Sequence, residues 1–84
     1  MKTHELKLHK QFMLDVWDGK KQFEIRKNDR DYQLGDRIRF RVVDDEGNWK
    51  SSLLDNKLYE ITHVLTGWGL EPGYVALGIR EVDA

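Results

Sequence analysis

Lys21, Glu24 and Arg26 are the residues of this chain whose types and spacing can do chemistry together. They lie in Gly19-Lys20-Lys21-Gln22-Phe23-Glu24-Ile25-Arg26, with Leu34-Gly35-Asp36 shortly after. Side chains two apart on a strand share a face, so Gln22, Glu24 and Arg26 fall together, and Phe23 with Ile25 makes the face expected to be buried. A carboxylate beside a guanidinium pairs with part of its fork and leaves the remainder for a ligand. Arg26 then reads an anion or a base edge, and Glu24 orients it or serves as an acid–base group. Lys21 meets a phosphate or carbonyl. Strict alternation puts Lys21 opposite Glu24, so the three converge only if the chain is still turning at Lys21.

Further candidates surround this group. Arg37, Arg39 and Arg41 form a basic stripe on one strand face, read either as a phosphate-tracking surface or as a solvated outer face whose charges protect an edge. Lys27 and Arg30 extend the patch, and Asp29, Asp31 and Asp36 can neutralise it. Trp68, inside Gly67-Trp68-Gly69-Leu70-Glu71-Pro72-Gly73, either stacks on a base or plugs one mouth of the domain. Ala76 and Gly78 leave one face of the last strand bare, most simply for a helix to pack on. The three histidines, His4, His9 and His63, have no metal-ligand spacing, so no metal and no cofactor is expected, and His63 reads as a partly buried core histidine.

The elements that must position these residues follow from hydrophobic period. Glu5-Leu6-Lys7-Leu8 alternates as a first strand. From Lys10 the period turns helical, with Phe12, Met13, Val16 and Trp17 on one face, Phe12 and Trp17 in the core, and Gly19 as the stop. A second strand spans Lys21–Lys27. The third is the clearest: Ile38, Phe40 and Val42 point inward and the arginines outward. Asp44-Asp45-Glu46-Gly47-Asn48 is a turn, and Trp49–Asn56 is a loop or edge hairpin without a clean period. Leu58–Thr66 and Tyr74–Val82 are the last strands. The expected class is α+β, a small, mixed, mostly antiparallel β-barrel of about five strands with one helix near the N-terminus, as one domain over residues 1–84.

Composition bounds the function. The 84 residues suit a single core, and without cysteine neither disulfides nor thiolate metal sites are available. No apolar run approaches a membrane span, and the charges in residues 1–18 do not suit a signal peptide, so a cytoplasmic protein with no membrane partner is expected. Net charge is −1, yet residues 20–41 carry eight basic and four acidic groups while residues 42–84 carry three and eight. Affinity for nucleic acid should therefore be local and directed at one face.

Gly19, Lys21, Glu24 and Arg26 match the G-x-K-x-x-E-x-R signature of ASCH domains, in the PUA-like superfamily. Gly35-Asp36 before a strand and the run Gly67-Trp68-Gly69-Leu70, Pro72-Gly73-Tyr74 and Val75-Ala76-Leu77 also resemble that group, closest to a small bacterial and phage-type branch of unassigned function. The resemblance covers nearly the whole chain. It implies a PUA-like barrel whose cleft beside the helix, lined by the signature residues Lys21, Glu24 and Arg26, binds RNA or an RNA-derived nucleotide. Lys27, Arg37, Arg39 and Trp68 join them as expected ligand residues on the reading of the basic patch and the tryptophan loop given above. One branch similar in fold hydrolyses N4-acetylcytidine, using a threonine two positions before the signature arginine. Here that position is Glu24, so the nucleophile is missing and a binding module is the leading expectation. The alternative is a hydrolase on a modified nucleoside or RNA, with Glu24 as general base and Lys21 as electrophilic stabiliser. A third reading is a protein-interaction module using the Arg37–Arg41 face.

Overall fold

The alternating segments assemble into one curved five-stranded sheet, seen in a computed structural model that describes residues 1–82. Strands β1 (Thr3–His9), β2 (Phe23–Lys27), β3 (Arg37–Val43), β4 (Leu58–Leu65) and β5 (Tyr74–Val82) lie in the order β1-β3-β4-β5-β2. β1 runs parallel to β3 and the other pairings are antiparallel. The result is a mixed half-barrel with β1 and β2 as its two edges.

Its concave side is the core. Leu6 and Leu8 of β1, Ile38, Phe40 and Val42 of β3, Tyr59 and Ile61 of β4, and Val75, Leu77 and Ile79 of β5 are all buried. The alternation in β1 and β3 therefore faces as the sequence indicates. A helix α1 (Met13–Trp17), entered through a 3-10 turn at Lys10–Phe12, closes one side of this core. Val16 is buried, and Met13 and Trp17 pack against the core. Phe12, expected inside, is exposed because its segment is the 3-10 turn rather than the helix face.

Three departures have local causes. A bulge in β4 between Ile61 and His63 inserts Thr62 and shifts the pleat by one residue. His63 consequently faces solvent, and Val64 packs against the core in its place. Gly78 serves that bulge and not a helix: a Cβ there would sit 2.8 Å from Thr62 Oγ1. The Trp49–Asn56 stretch, without period in the sequence, contains a second 3-10 turn at Leu53–Asn56 that buries Leu54 completely. Ser52 Oγ accepts from the Leu54 N–H and Asp55 Oδ2 accepts from the Ser52 N–H, a capping box that holds the turn shut.

Asp36 fastens the start of β3 to the start of β1. Its carboxylate accepts from the Lys2 N–H at 3.0 Å, from His4 Nε2 at 2.8 Å and from the Gln33 N–H at 3.1 Å. Burial alone would raise its pKa, but these donors outweigh burial and hold the carboxyl below its ordinary range. Asp36 pairs with none of the patch arginines, as the sequence allowed it to, because its bonds run inward to Lys2, His4 and Gln33.

Candidate functional site

The candidate site begins where α1 ends. Gly19 takes φ +77°, and the N–H groups of Lys20 and Lys21 both turn back onto the Asp15 carbonyl, at 2.9 and 3.0 Å. The chain is still turning at Lys21, and β2 starts only at Phe23. Lys21 thereby escapes strand alternation and reaches the Glu24 carboxylate, pairing with Oε1 and donating to the Phe23 carbonyl at 2.8 Å. Its ammonium also lies 4.8 Å from the Phe23 ring centre and 5.4 Å from that of Phe12.

The faces of β2 are inverted from the expectation. Register places Glu24 opposite Leu77 and Arg26 opposite Val75, two fully buried residues, so the charged side chains take the core face. Phe23 and Ile25 stand opposite Gly78 and Ala76 on the outer face and are both more than half exposed. Apolar residues were expected inside because burial of an unpaired carboxylate is costly. Glu24 meets that cost by pairing: Oε1 takes Lys21, and Oε2 takes Arg26 Nη1 at 3.1 Å.

Arg26 also spans the open seam of the half-barrel. Its Nη1 donates to the Lys7 carbonyl at 2.8 Å, and Arg30 Nη1 donates to the Glu5 carbonyl at 3.0 Å. The two carbonyls are two residues apart on the free edge of β1, so guanidinium groups stand where a partner strand would pair. Its bonds to the Lys7 carbonyl and to Glu24 both use Nη1; even with a further side-chain hydrogen bond to Tyr32, the five-donor fork keeps capacity for an anion.

A cleft of about 360 Å³ opens over this group, bordered by Phe12, Lys21, Phe23, Glu24, Arg26 and the end of β1. On the other side of Arg26 the seam widens into a groove of about 740 Å³ containing Lys7, Arg30, Arg41 and Trp49. A third hollow, about 370 Å³, leads past Lys27 to Tyr32 and Tyr74. Burial pushes the Tyr32 hydroxyl up, and the nearby charges of Arg26 and Arg30 pull it part of the way back.

The remaining candidates are dispersed. Lys27 is exposed beside the third hollow. Arg39 Nη1 donates to the Asp55 carbonyl at 3.0 Å, Arg41 Nε lies 3.3 Å from Glu5 Oε1, and Arg37 is half-buried. The stripe is thus partly tied to the protein itself. Trp68 is 89% exposed with φ +53°, so it does not plug the domain, and it does not border the Lys21–Arg26 cleft. Of the residues that do border the clefts, Phe12 was expected in the core, Arg30 only as an extension of the basic patch, and Trp49 was given no role. The cue missed for the Trp49 segment was Ser52-x-x-Asp55, a capping-box spacing that marks an ordered turn. Among the described residues, no cluster of three or more His, Cys, Asp or Glu side chains is placed to hold a metal, and no helix is long and apolar enough to cross a membrane.

Comparison with known proteins places this geometry in a family. The family model described as "Domain of unknown function (DUF3850)" matches residues 3–79. A relative from Escherichia phage P2, "Uncharacterized 12.9 kDa protein in GpA 3'region", is 49% identical over 37 residues, which are 44% of this chain and 34% of that protein. The chain therefore matches about a third of that relative's length. The fold is similar to that in "Crystal structure of hypothetical protein PH0355", with a TM-score of 0.62 and 18% identity, covering 98% of this chain and 100% of the other.

Proposed function

The chain belongs to the DUF3850 family, a domain of unknown function, and within that frame we propose that its cleft binds RNA or an RNA-derived nucleotide, as the resemblance to PUA-like ASCH domains implies. One observation carries the reading: a buried carboxylate, Glu24, held between two cations that border an open cleft and keep donors to spare. Burying such a triad is rarely the cheapest way to stabilise a protein. A triad beside an open cleft instead offers a pre-set anion site, with Glu24 fixing the direction in which Arg26 points. The exposed rings of Phe12 and Phe23 flank it and suit the flat face of a base.

The hydrolase alternative asks Glu24 to act as a base. Both its oxygens are engaged by cations, which favours a positioning role over proton transfer. The test is an amide NMR titration of the labelled protein with the four ribonucleoside 5′-monophosphates and short single-stranded RNAs, at low and moderate salt. Expected are shifts clustered on Phe12 and Lys21–Arg26. Arg26→Ala should weaken binding about tenfold or more while the spectrum remains that of a folded protein, and Arg26→Lys should recover little because the fork is lost. Silence of these residues, or affinity indifferent to Arg26, rejects the reading. Turnover that Glu24→Gln abolishes while binding persists would establish the hydrolase instead.

A further inference from the structure

We infer that the ligand strand continues past Arg26 into a second subsite, where a neighbouring base stacks on Trp49 and its phosphate lies among Lys7, Arg30 and Arg41. This rests on the cleft being an RNA or nucleotide site, and it extends the ligand from a single nucleotide to a single strand of at least two. Four observations carry it.

The 360 Å³ cleft and the 740 Å³ groove share Lys7 and Arg26, so one ligand can pass from one to the other along the β1 edge. Each volume falls within the ordinary range of ligand pockets, about 300–1,000 Å³. The groove carries Lys7, Arg26, Arg30 and Arg41; Glu24 is paired with Arg26, and Glu5 and Asp55 with Arg41, so the positive charge of the lining rests on Lys7 and Arg30, in a chain of net charge −1. That balance suits a phosphodiester. Trp49 is 58% exposed, an indole face left to solvent at the groove wall.

The backbone that carries the indole is also hydrogen-bonded on both sides of Trp49. Trp49 bridges to Val43, the Lys50 N–H donates to the Val42 carbonyl at 2.8 Å, and the Asp44 N–H donates to the Asn48 carbonyl at 2.9 Å. Asp44 Oδ1 accepts from the N–H groups of Glu46 and Asn48 and closes the turn between them. A platform fixed before binding loses little freedom on binding, which a base-stacking site requires. Trp68 has the greater exposure but borders neither the cleft nor the groove.

The experiment compares ribonucleoside 5′-monophosphates with 5′-phosphorylated ribodinucleotides and their deoxy counterparts. Binding is measured by calorimetry and indole fluorescence on the wild type and on Trp49→Ala, Trp49→Phe, Tyr74→Ala and Arg26→Ala. Stacking on an aromatic side chain gives a dinucleotide advantage of about fivefold to a hundredfold. Trp49→Ala should abolish that advantage and leave the mononucleotide affinity unchanged, Trp49→Phe should restore part of it, and Tyr74→Ala should retain it. Arg26→Ala should weaken both ligands. A Trp49-dependent gain with either sugar supports the subsite, and the sugar with the larger gain names the strand. Arg26-dependent mononucleotide binding without a dinucleotide advantage overturns the subsite and leaves the cleft. An advantage that follows Tyr74, or equal binding of a short Asp- and Tyr-containing peptide in the Trp49 groove, overturns it as well. If the wild type binds neither nucleotide, both readings fall together.

Discussion

Among the described residues two carboxylates are buried to nearly the same degree, Asp36 at 3% exposure and Glu24 at 4%, and they are held in opposite ways. Two of the three donors to Asp36 are backbone N–H groups fixed by the chain path, and the third is a buried histidine. The partners of Glu24 are the side-chain ends of Lys21 and Arg26, which border an open cleft and still have donors uncommitted. Burial with every partner fixed makes a clasp; burial with partners that can also reach a ligand makes a site. What separates the two carboxylates is the spare capacity of the groups around them.

The largest expected effect tests the clasp. Asp36→Ala removes the acceptor for His4 and for two N–H groups at once, and should cost about 3–5 kcal/mol in urea unfolding, as for other buried pairs broken from one side. Glu24→Ala should cost less, about 1–2 kcal/mol, because Lys21 and Arg26 can turn toward water once the carboxylate is gone. Equal costs would erase the distinction between clasp and site. A Glu24 cost larger than that of Asp36 would reverse it and make the Lys21–Glu24–Arg26 triad a structural element.

Much of the scaffold was legible beforehand. Ile38, Phe40 and Val42 against Arg37, Arg39 and Arg41 announced β3, and its inward set is buried. Gly19 marked the end of α1, and the turn beyond it answers the question of Lys21. The faces of β2 were not legible, because hydrophobic alternation assumes that the core face is apolar. Glu24 overturns that assumption through partners that lie before it in the chain and beside it on the strand. The bulge at Thr62 was hidden too, since one inserted residue swaps the faces without changing the composition. His4 could have been recognised: it lies two positions before Leu6 and four before Leu8, on the face that turned out to be buried. Its partner Asp36 could not, because no local pattern links positions 32 residues apart.

The smallest expected effect is a difference in pH dependence, and it separates charge from shape at the clasp. Asp36 holds its proton less readily in the folded chain than in the unfolded one, where the ordinary value is 3.8. Such a group contributes stability above 3.8 and loses it as pH falls through the lower folded value. The groups facing the carboxylate are His4 and the N–H groups of Lys2 and Gln33, so this contribution is carried by hydrogen bonds to the ionised form. Asp36→Asn keeps the outline of the side chain and cannot ionise. Urea unfolding of both proteins between pH 6 and pH 2.5 should show a stability gap that is constant above about pH 5 and narrows below it. The other carboxylates are common to both proteins and drop out of the difference. A gap that stays constant down to pH 2.5 would mean that Asp36 acts through packing alone, and the contrast with Glu24 would then rest on geometry and not on charge.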